Sequence, residues 1–420
     1  MIIFCLACAI QANKMKYAGK LGHAIQLIEE NYVEQVDPQD LFVSAMQGVA
    51  KELDEYSEFI PAQRYKEFQS TIEQKFGGIG IQIEGPPTAP RLTVVSPIPN
   101  TPAFKAGIQA GDTILEIDGV TTEGLSSDDS LKLMRGDVGS PVELLVQRMD
   151  SSHTVRVTLV RADIQVSSVY GDSIQPDASW NYFLREDPRI AYIRVALFGE
   201  RTTEEFKAAL DAIRSDAKAL VIDLRFNPGG ILPAAVDLCD MLIDDGVIVR
   251  TIGRKSAFDS TLSANPGVDF DASRPIVILI NGDSASASEI MAGCLQDLGR
   301  AKIAGSRSYG KGTVQQVFEM GGNQSALKFT TARFHRPSFK NINRSSEMTE
   351  QDEWGIQPDE GLELVLTDLQ QIYLNRRWQS RGDLRVMGRV ERAPEPPFAA
   401  DPQLQLAVEF LQREYLDGTP

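Results

Sequence analysis

Two clusters of small and polar residues in this 420-residue chain have the types and spacing that acyl chemistry needs. The first is Asn281-Gly282-Asp283-Ser284-Ala285-Ser286-Ala287-Ser288-Glu289, which follows an apolar run. Alternating serine and alanine would put a hydroxyl at a helix start with little bulk around it, leaving room for a peptide carbonyl. The competing explanation is structural, because Ser286-Ala287-Ser288-Glu289 also reads as a capping box. The second cluster is Asp223-Leu224-Arg225-Phe226-Asn227-Pro228-Gly229-Gly230. There a strand ends, proline stiffens the turn, and two glycines permit positive φ just before a helix N-terminus, aiming N–H groups at a negative oxygen. A plain strand-to-helix loop would look much the same.

A serine nucleophile needs a base. The chain has 3 histidines. His23 falls in a helical stretch and His153 in a hairpin turn, while His335 sits among the cations of Arg333-Phe334-His335-Arg336 with nothing linking it to the serines. Lysine is the alternative, provided burial lowers its pKa. Lys311 lies between Gly310 and Gly312, which predicts sterically open surroundings, and Gln315 follows as a neutral amide able to orient an amine. An exposed loop lysine is the ordinary alternative. Two other motifs fail on context. Gly305 to Gly312 nearly matches a phosphate-binding P-loop, but Gly312 replaces the metal-binding hydroxyl residue and a strand-like run follows where a helix is required. Ser308-Tyr309-Gly310-Lys311 fits a Ser-x-x-Lys pattern that needs a helix, which Gly-Lys-Gly resists.

The elements that must position these residues follow from periodicity. Residues 1–14 are apolar and read as the remnant of a signal or anchor; they contain Cys5 and Cys8. Residues 15–74 read as helical, with Leu21, Ile25, Ile28 and Tyr32 at helix spacing. Residues 75–162 carry five short β-branched runs, a helix around Ser127 to Met134 and an Asp118-Gly119 turn, the pattern of a small β-rich module. Residues 163–375 alternate strand and helix, which favours a largely parallel, buried sheet, with a capping box at Thr202-Thr203-Glu204-Glu205. Residues 376–420 include a proline-rich break at 393–397 and a last helix from Leu404 to Tyr415. The expected class is therefore a multidomain α+β and α/β protein. Its net charge of −16 argues against nucleic acid as a partner. Cys239 and Cys294 fall in two core helices, and a bridge between them stays open.

In this order and spacing the motifs resemble the C-terminal processing peptidases, or tail-specific proteases, of peptidase family S41. The resemblance rests on Leu53 to Ser57, Phe76-Gly77-Gly78-Ile79-Gly80-Ile81, Asp223 to Gly230, Ser284 to Glu289, Gly310 to Gln315 and Gly355-Ile356-Gln357-Pro358-Asp359. It implies a ClpP/crotonase-type α/β core with an inserted PDZ domain at 75–162. Position by position, it implies a serine endopeptidase with Ser286 as nucleophile, Lys311 as base, Gln315 as the amide orienting that base, and an oxyanion hole from Ala287 and Gly229 or Gly230. The PDZ contacts it implies are Gly77, Gly78, Ile79 and Gly80 as a carboxylate-binding loop, strand addition beside Gly80–Ile83, and Leu131 on the flanking helix. No metal or other cofactor is implied. Expected partners are proteins with apolar C-termini, with a homo-oligomer and a regulatory or adaptor protein left open, in a periplasmic or other extracytoplasmic setting. Two departures stand out: Pro337-Ser338-Phe339 replaces the usual Pro-Ser-Gly, and Lys340 to Trp354 is longer and more polar than usual; neither is expected to touch the dyad. The rival readings are an inactive PDZ adaptor and, by fold analogy alone, an acyl-CoA enzyme.

Overall fold

The computed structural model describes residues 16–418, apart from 87–90, 99, 150–152, 176, 178, 322–324 and 382–400. The apolar start with Cys5 and Cys8, and the proline-rich break at 393–397, lie outside the described residues. Two compact units divide the chain: Met1–Phe68 with Val314–Ala332, and Gln69–Thr313 with Arg333–Pro420.

In the first unit, helices Lys16–Asn31 and Pro38–Lys51 precede a short strand, Glu58–Ile60. Asp37 caps the second helix by accepting from the Gln39 N–H. The strand interrupts the stretch read as helical. It pairs antiparallel with the long strand Ser325–His335, in the register Phe59↔Leu327, and Phe59 and Ile60 are buried. Local periodicity carries no sign of such a distant partner.

The second unit opens with a β-rich module. Strands Ile81–Glu84, Thr93–Pro97, Thr113–Ile117, Pro141–Gln147 and Thr154–Val160 form an antiparallel sheet in that order, with Ile81–Glu84 at its edge. Asp118 and Gly119 both take positive φ at the expected tight turn. The helix Ser127–Met134 is capped by Ser126, whose Oγ accepts from Asp129 N. Ile79, Ile114, Ile117, Leu144 and Val146 make a closed apolar core, against which Leu131 packs half-buried. The chain enters and leaves the module side by side, Lys75–Gly78 pairing antiparallel with Ala162–Gln165.

The remaining sheet positions the chemistry. It has five strands: an antiparallel edge strand, Val169–Tyr170, and beside it four parallel neighbours in the order β1 (Ile190–Val195), β2 (Ala219–Asp223), β3 (Ile276–Ile280) and β4 (Lys302–Gly305). Every residue of β2 and β3 is buried, as expected of parallel strands covered on both faces. Helix α1 (Leu232–Asp240) follows β2 and α2 (Ala287–Asp297) follows β3, while α3 (Pro402–Leu411) lays Leu404, Ala407, Val408 and Leu411 on the sheet core. The Thr202–Glu205 capping box is not formed. The cap residue is Arg201, Thr202 is buried, and Glu205 turns instead to the backbone N–H groups of Ser168 and Val169. Cys239 and Cys294 are buried free thiols; burial, with a hydrogen bond to Cys294, pushes the Cys239 thiol well up.

Candidate active site

Because β2 and β3 are parallel and in register, Asp223 opposite Leu279, the turns that follow them leave the same edge of the sheet. Asn227 ties these turns together. Its carbonyl accepts from Ala285 N at 3.0 Å and Ser288 Oγ at 3.0 Å, and its side chain donates to the Val195 carbonyl at 2.8 Å. From the other turn, Asn281 Oδ1 accepts from Phe226 N at 2.8 Å, and Ser284 Oγ donates to the Leu224 carbonyl at 2.8 Å. Both chemical clusters read from the sequence thus form one site.

The three serines separate cleanly. Ser284 and Ser288 are fully buried and donate to backbone carbonyls, whereas Ser286 is partly exposed. Ser286 caps α2 with φ 56° and ψ −111°, a conformation that costs a non-glycine residue strain and that surrounding contacts must hold. Gly229 is packed against it: a Cβ there would lie 2.9 Å from Ser286 Cβ and 3.0 Å from Ala287 N. Gly230, at φ 149°, has no room either, because a Cβ would overlap the Phe198 carbonyl. The Gly229 N–H donates to Asn227 Oδ1 at 2.9 Å. That bond engages the Gly229 N–H within its own turn.

Glu289 receives more than a capping box provides. Its Oε2 accepts from Ser286 N at 2.8 Å and from Lys311 N at 2.9 Å, and its Oε1 from Ser308 Oγ at 2.6 Å and Gly310 N at 2.7 Å. The side chain is completely buried, and burial raises its pKa against the lowering pull of these four bonds. In the sequence Glu289 shows only as a helix opener, because its other three partners lie about twenty residues away, beyond a different strand.

Lys311 is half-buried, and its backbone meets the Ser286 backbone across a single carboxylate oxygen. Its surroundings are not open, which corrects the expectation from the flanking glycines. A Cβ on Gly310 would stand 2.8 Å from Arg344 Cβ and 3.0 Å from Trp354 Cε3, and one on Gly312 would stand 2.7 Å from Asn343 N. The polar 340–354 segment packs against the two glycines that flank the lysine, through Arg344 N→Gly310 O at 2.8 Å and Gly312 N→Asn343 Oδ1 at 3.3 Å. Trp354 is held between Arg307 and Arg344, each guanidinium 4.2 Å from its ring centre. Gln315 belongs to the other compact unit, on strand Thr313–Met320, where its Nε2 donates to Thr330 Oγ1 at 3.0 Å.

The expected peptide-binding residues need more revision. Gly77 and Gly78 are strand residues opposite Asp163 and Ala162, rather than part of an open loop. Ile79 and Ile81 are buried in the module's core, so they can offer a ligand only backbone groups. The Gly80 carbonyl accepts from Ile98 N and Thr101 Oγ1, and φ 77° with Thr101 against it makes glycine obligatory there. What stays available is the edge of Ile81–Glu84, which pairs on one side only. A cleft of about 1240 Å³ is lined by Gln82 of that strand together with Tyr170, Trp180, Arg194 and Trp378, and includes none of Ser286, Gly229 or Lys311.

One supporting group had no signal in the sequence. Arg225, at the start of the twin-glycine turn, is fully buried between Asp223 and Asp401. Its Nη1 reaches Asp401 Oδ1 at 2.8 Å, its Nε reaches Asp223 Oδ1 at 2.9 Å, and Tyr192 donates to Asp223 Oδ2 at 2.7 Å. The cap of α3 is thereby locked to the strand end that carries the site.

With the geometry in place, comparison with known proteins is direct. Residues 189–362 match the model of peptidase family S41, and residues 93–148 match a PDZ domain. The chain is 36% identical over 337 residues to the carboxy-terminal-processing protease of Bartonella bacilliformis, covering 79% of this chain and 74% of that protein. It is 32% identical over 349 residues to the carboxyl-terminal-processing protease of Synechocystis sp., covering 82% and 77%. The structure of a putative S41 protease from Bacteroides fragilis superposes with a TM-score of 0.50 at 15% identity, covering 83% of this chain and 86% of that one. The chain belongs to peptidase family S41, the carboxy-terminal-processing serine proteases. Its substrates are accordingly proteins. No helix among the described residues is long and apolar enough to cross a membrane.

Proposed function

We propose that this chain is an endopeptidase that uses a Ser286–Lys311 dyad and captures protein C-termini through its PDZ module. The observation that carries the reading is the shared Glu289 oxygen, which sets the backbones of Ser286 and Lys311 side by side next to the twin-glycine turn. An apolar tail adds as a strand beside Ile81–Glu84, and the chain reaches the edge of the core sheet, which we read as ClpP/crotonase-type. Lys311, working as a neutral amine, takes the Ser286 proton as the oxygen attacks the scissile carbonyl. The oxyanion is held by the N–H groups of Ala287 and Gly230, each such donor being worth about 2.7–4 kcal/mol in the transition state. The lysinium then protonates the leaving amine, and the same lysine activates the water that releases the acyl-enzyme. Gln315 is assigned the orienting amide, and the setting is taken as extracytoplasmic, both on the resemblance.

Digestion of a protein with an apolar C-terminal tag tests the reading. Ser286→Ala and Lys311→Arg should both be folded and inactive, since a guanidinium cannot act as the base. A folded Ser286→Ala variant that still cuts would refute the dyad and favour neither residue as catalytic. An inactive wild-type chain that binds the tagged protein would favour the adaptor reading.

A further inference from the structure

A residue that opens a helix needs only one contact, yet the Glu289 carboxylate has four, three of them to the segment that carries Lys311. We propose that Glu289 is the positioning residue that sets the separation of nucleophile and base, a role that rests on the Ser286–Lys311 reading. All four partners are donors. The backbone N–H groups of Ser286, Gly310 and Lys311 can do nothing else, and Ser308 Oγ accepts from Ile356 N at 2.7 Å, which directs its own proton toward Glu289. The group therefore acts as a carboxylate with both oxygens doubly engaged, in a site from which water is excluded.

Each oxygen serves a different purpose. Oε2 joins the two backbones, so neither Ser286 nor Lys311 can shift without moving the other. Oε1 anchors the turn just ahead of the lysine through Ser308 and Gly310. The strained φ of Ser286 and the positive φ of Gly310 are then held from one point. Nothing in this arrangement brings Glu289 to the reacting atoms, so its action is through Ser286 and Lys311.

The replacement Glu289→Gln separates this role from capping. Glutamine serves a capping box as well as glutamate does. It cannot serve the bridge, because its NH₂ would face two donors at whichever oxygen position it took, and the Gly310 and Lys311 N–H groups cannot reverse. With a tagged peptide substrate, kcat of Glu289→Gln should fall about tenfold to a hundredfold, the scale of an ångström-sized misplacement. KM and binding of the C-terminal tag to the PDZ module should stay within about twofold, since neither depends on the bridge. A wild-type kcat in the folded variant overturns the proposal, and so does a loss of activity that only tracks the fraction unfolded in a thermal melt. If Glu289→Gln does not fold, Ser308→Ala removes one donor and leaves the charge and the helix cap. A several-fold lower kcat at unchanged KM then supports the role, and an unchanged kcat overturns it. Ser286→Ala is assayed alongside. Activity there refutes the dyad itself, whereas an inert Ser286→Ala beside a fully active Glu289→Gln refutes only the positioning role.

Discussion

Gly229 and Ser286 approach so closely that a single added carbon on the glycine would stand 2.9 Å from Ser286 Cβ and 2.7 Å from the Ala285 carbonyl. Gly229 also holds φ 101°, where a side chain is strained whatever the space. Gly229→Ala should therefore cost about 1–3 kcal/mol of stability. The turn it displaces carries the assigned oxyanion donors, so kcat should drop by about a hundredfold or more. Thermal unfolding and steady-state kinetics on one preparation check both. A folded variant with normal kcat would show that this turn does not hold the oxyanion.

The Arg225–Asp401 pair makes the site depend on a helix far along the chain, the two residues being 176 positions apart. Asp401→Asn removes one of two carboxylates facing a fully buried guanidinium, at an expected cost of about 3–5 kcal/mol. A chemical denaturation curve measures it, and a cost near zero would mean that Asp223 alone satisfies the arginine.

That same pair predicts a pH dependence. Burial alone would raise the Asp401 carboxyl, but the charge and hydrogen bonds of Arg225 hold it below the ordinary value. A depressed folded-state pKa contributes stability that is present above the unfolded value, about 3.9, and is lost as pH falls through the folded one. Wild-type stability should decline below about pH 4 more steeply than that of Asp401→Asn. Parallel curves for the two proteins would exclude this contribution.

Leu131 lies on the helix of the PDZ module, half-buried against the module's core. Leu131→Ala should weaken binding of a fluorescent apolar C-terminal peptide by several-fold, the equivalent of about 1 kcal/mol of lost apolar contact. At saturating substrate kcat should be unchanged. An unaltered affinity, read by fluorescence anisotropy, would place the tail elsewhere.

Much of this architecture is legible in the residues, and for local reasons. The run Ile276–Ile280 is five buried apolar residues between a proline and an Asn-Gly turn, so its length and bounds announce a covered parallel strand. Asp118-Gly119 and the Ser126-capped helix likewise follow from chemistry within four residues. Ser286, Lys311 and the twin glycines are legible through their order and spacing along the chain, since each cluster alone also reads as a helix cap or a plain loop. What fails to show is whatever depends on a distant partner. Glycine at 310 and 312 signals freedom in a sequence, but here it marks crowding by Arg344, Trp354 and Asn343. Glu289 looks complete as a helix cap until the 308–311 segment folds over it. Glu205 satisfies a capping pattern on paper and instead finds Ser168 and Val169, and Asp401 sits beyond any window in which Arg225 would suggest a partner. The resemblance implies a loop at Gly77 and Gly78, yet an antiparallel neighbour 84 to 86 residues on makes them strand residues.

The most direct trial of the dyad is to catch its intermediate. An activated ester of a short apolar peptide, mixed with the protein and quenched in acid within a turnover, should leave its acyl group on the proteolytic fragment containing Ser286, as read by mass spectrometry. Lys311→Arg should give no such adduct under the same conditions. Turnover by the wild-type protein with the acyl group on another residue, or equal labelling of Ser286 with and without the lysine, would contradict the account.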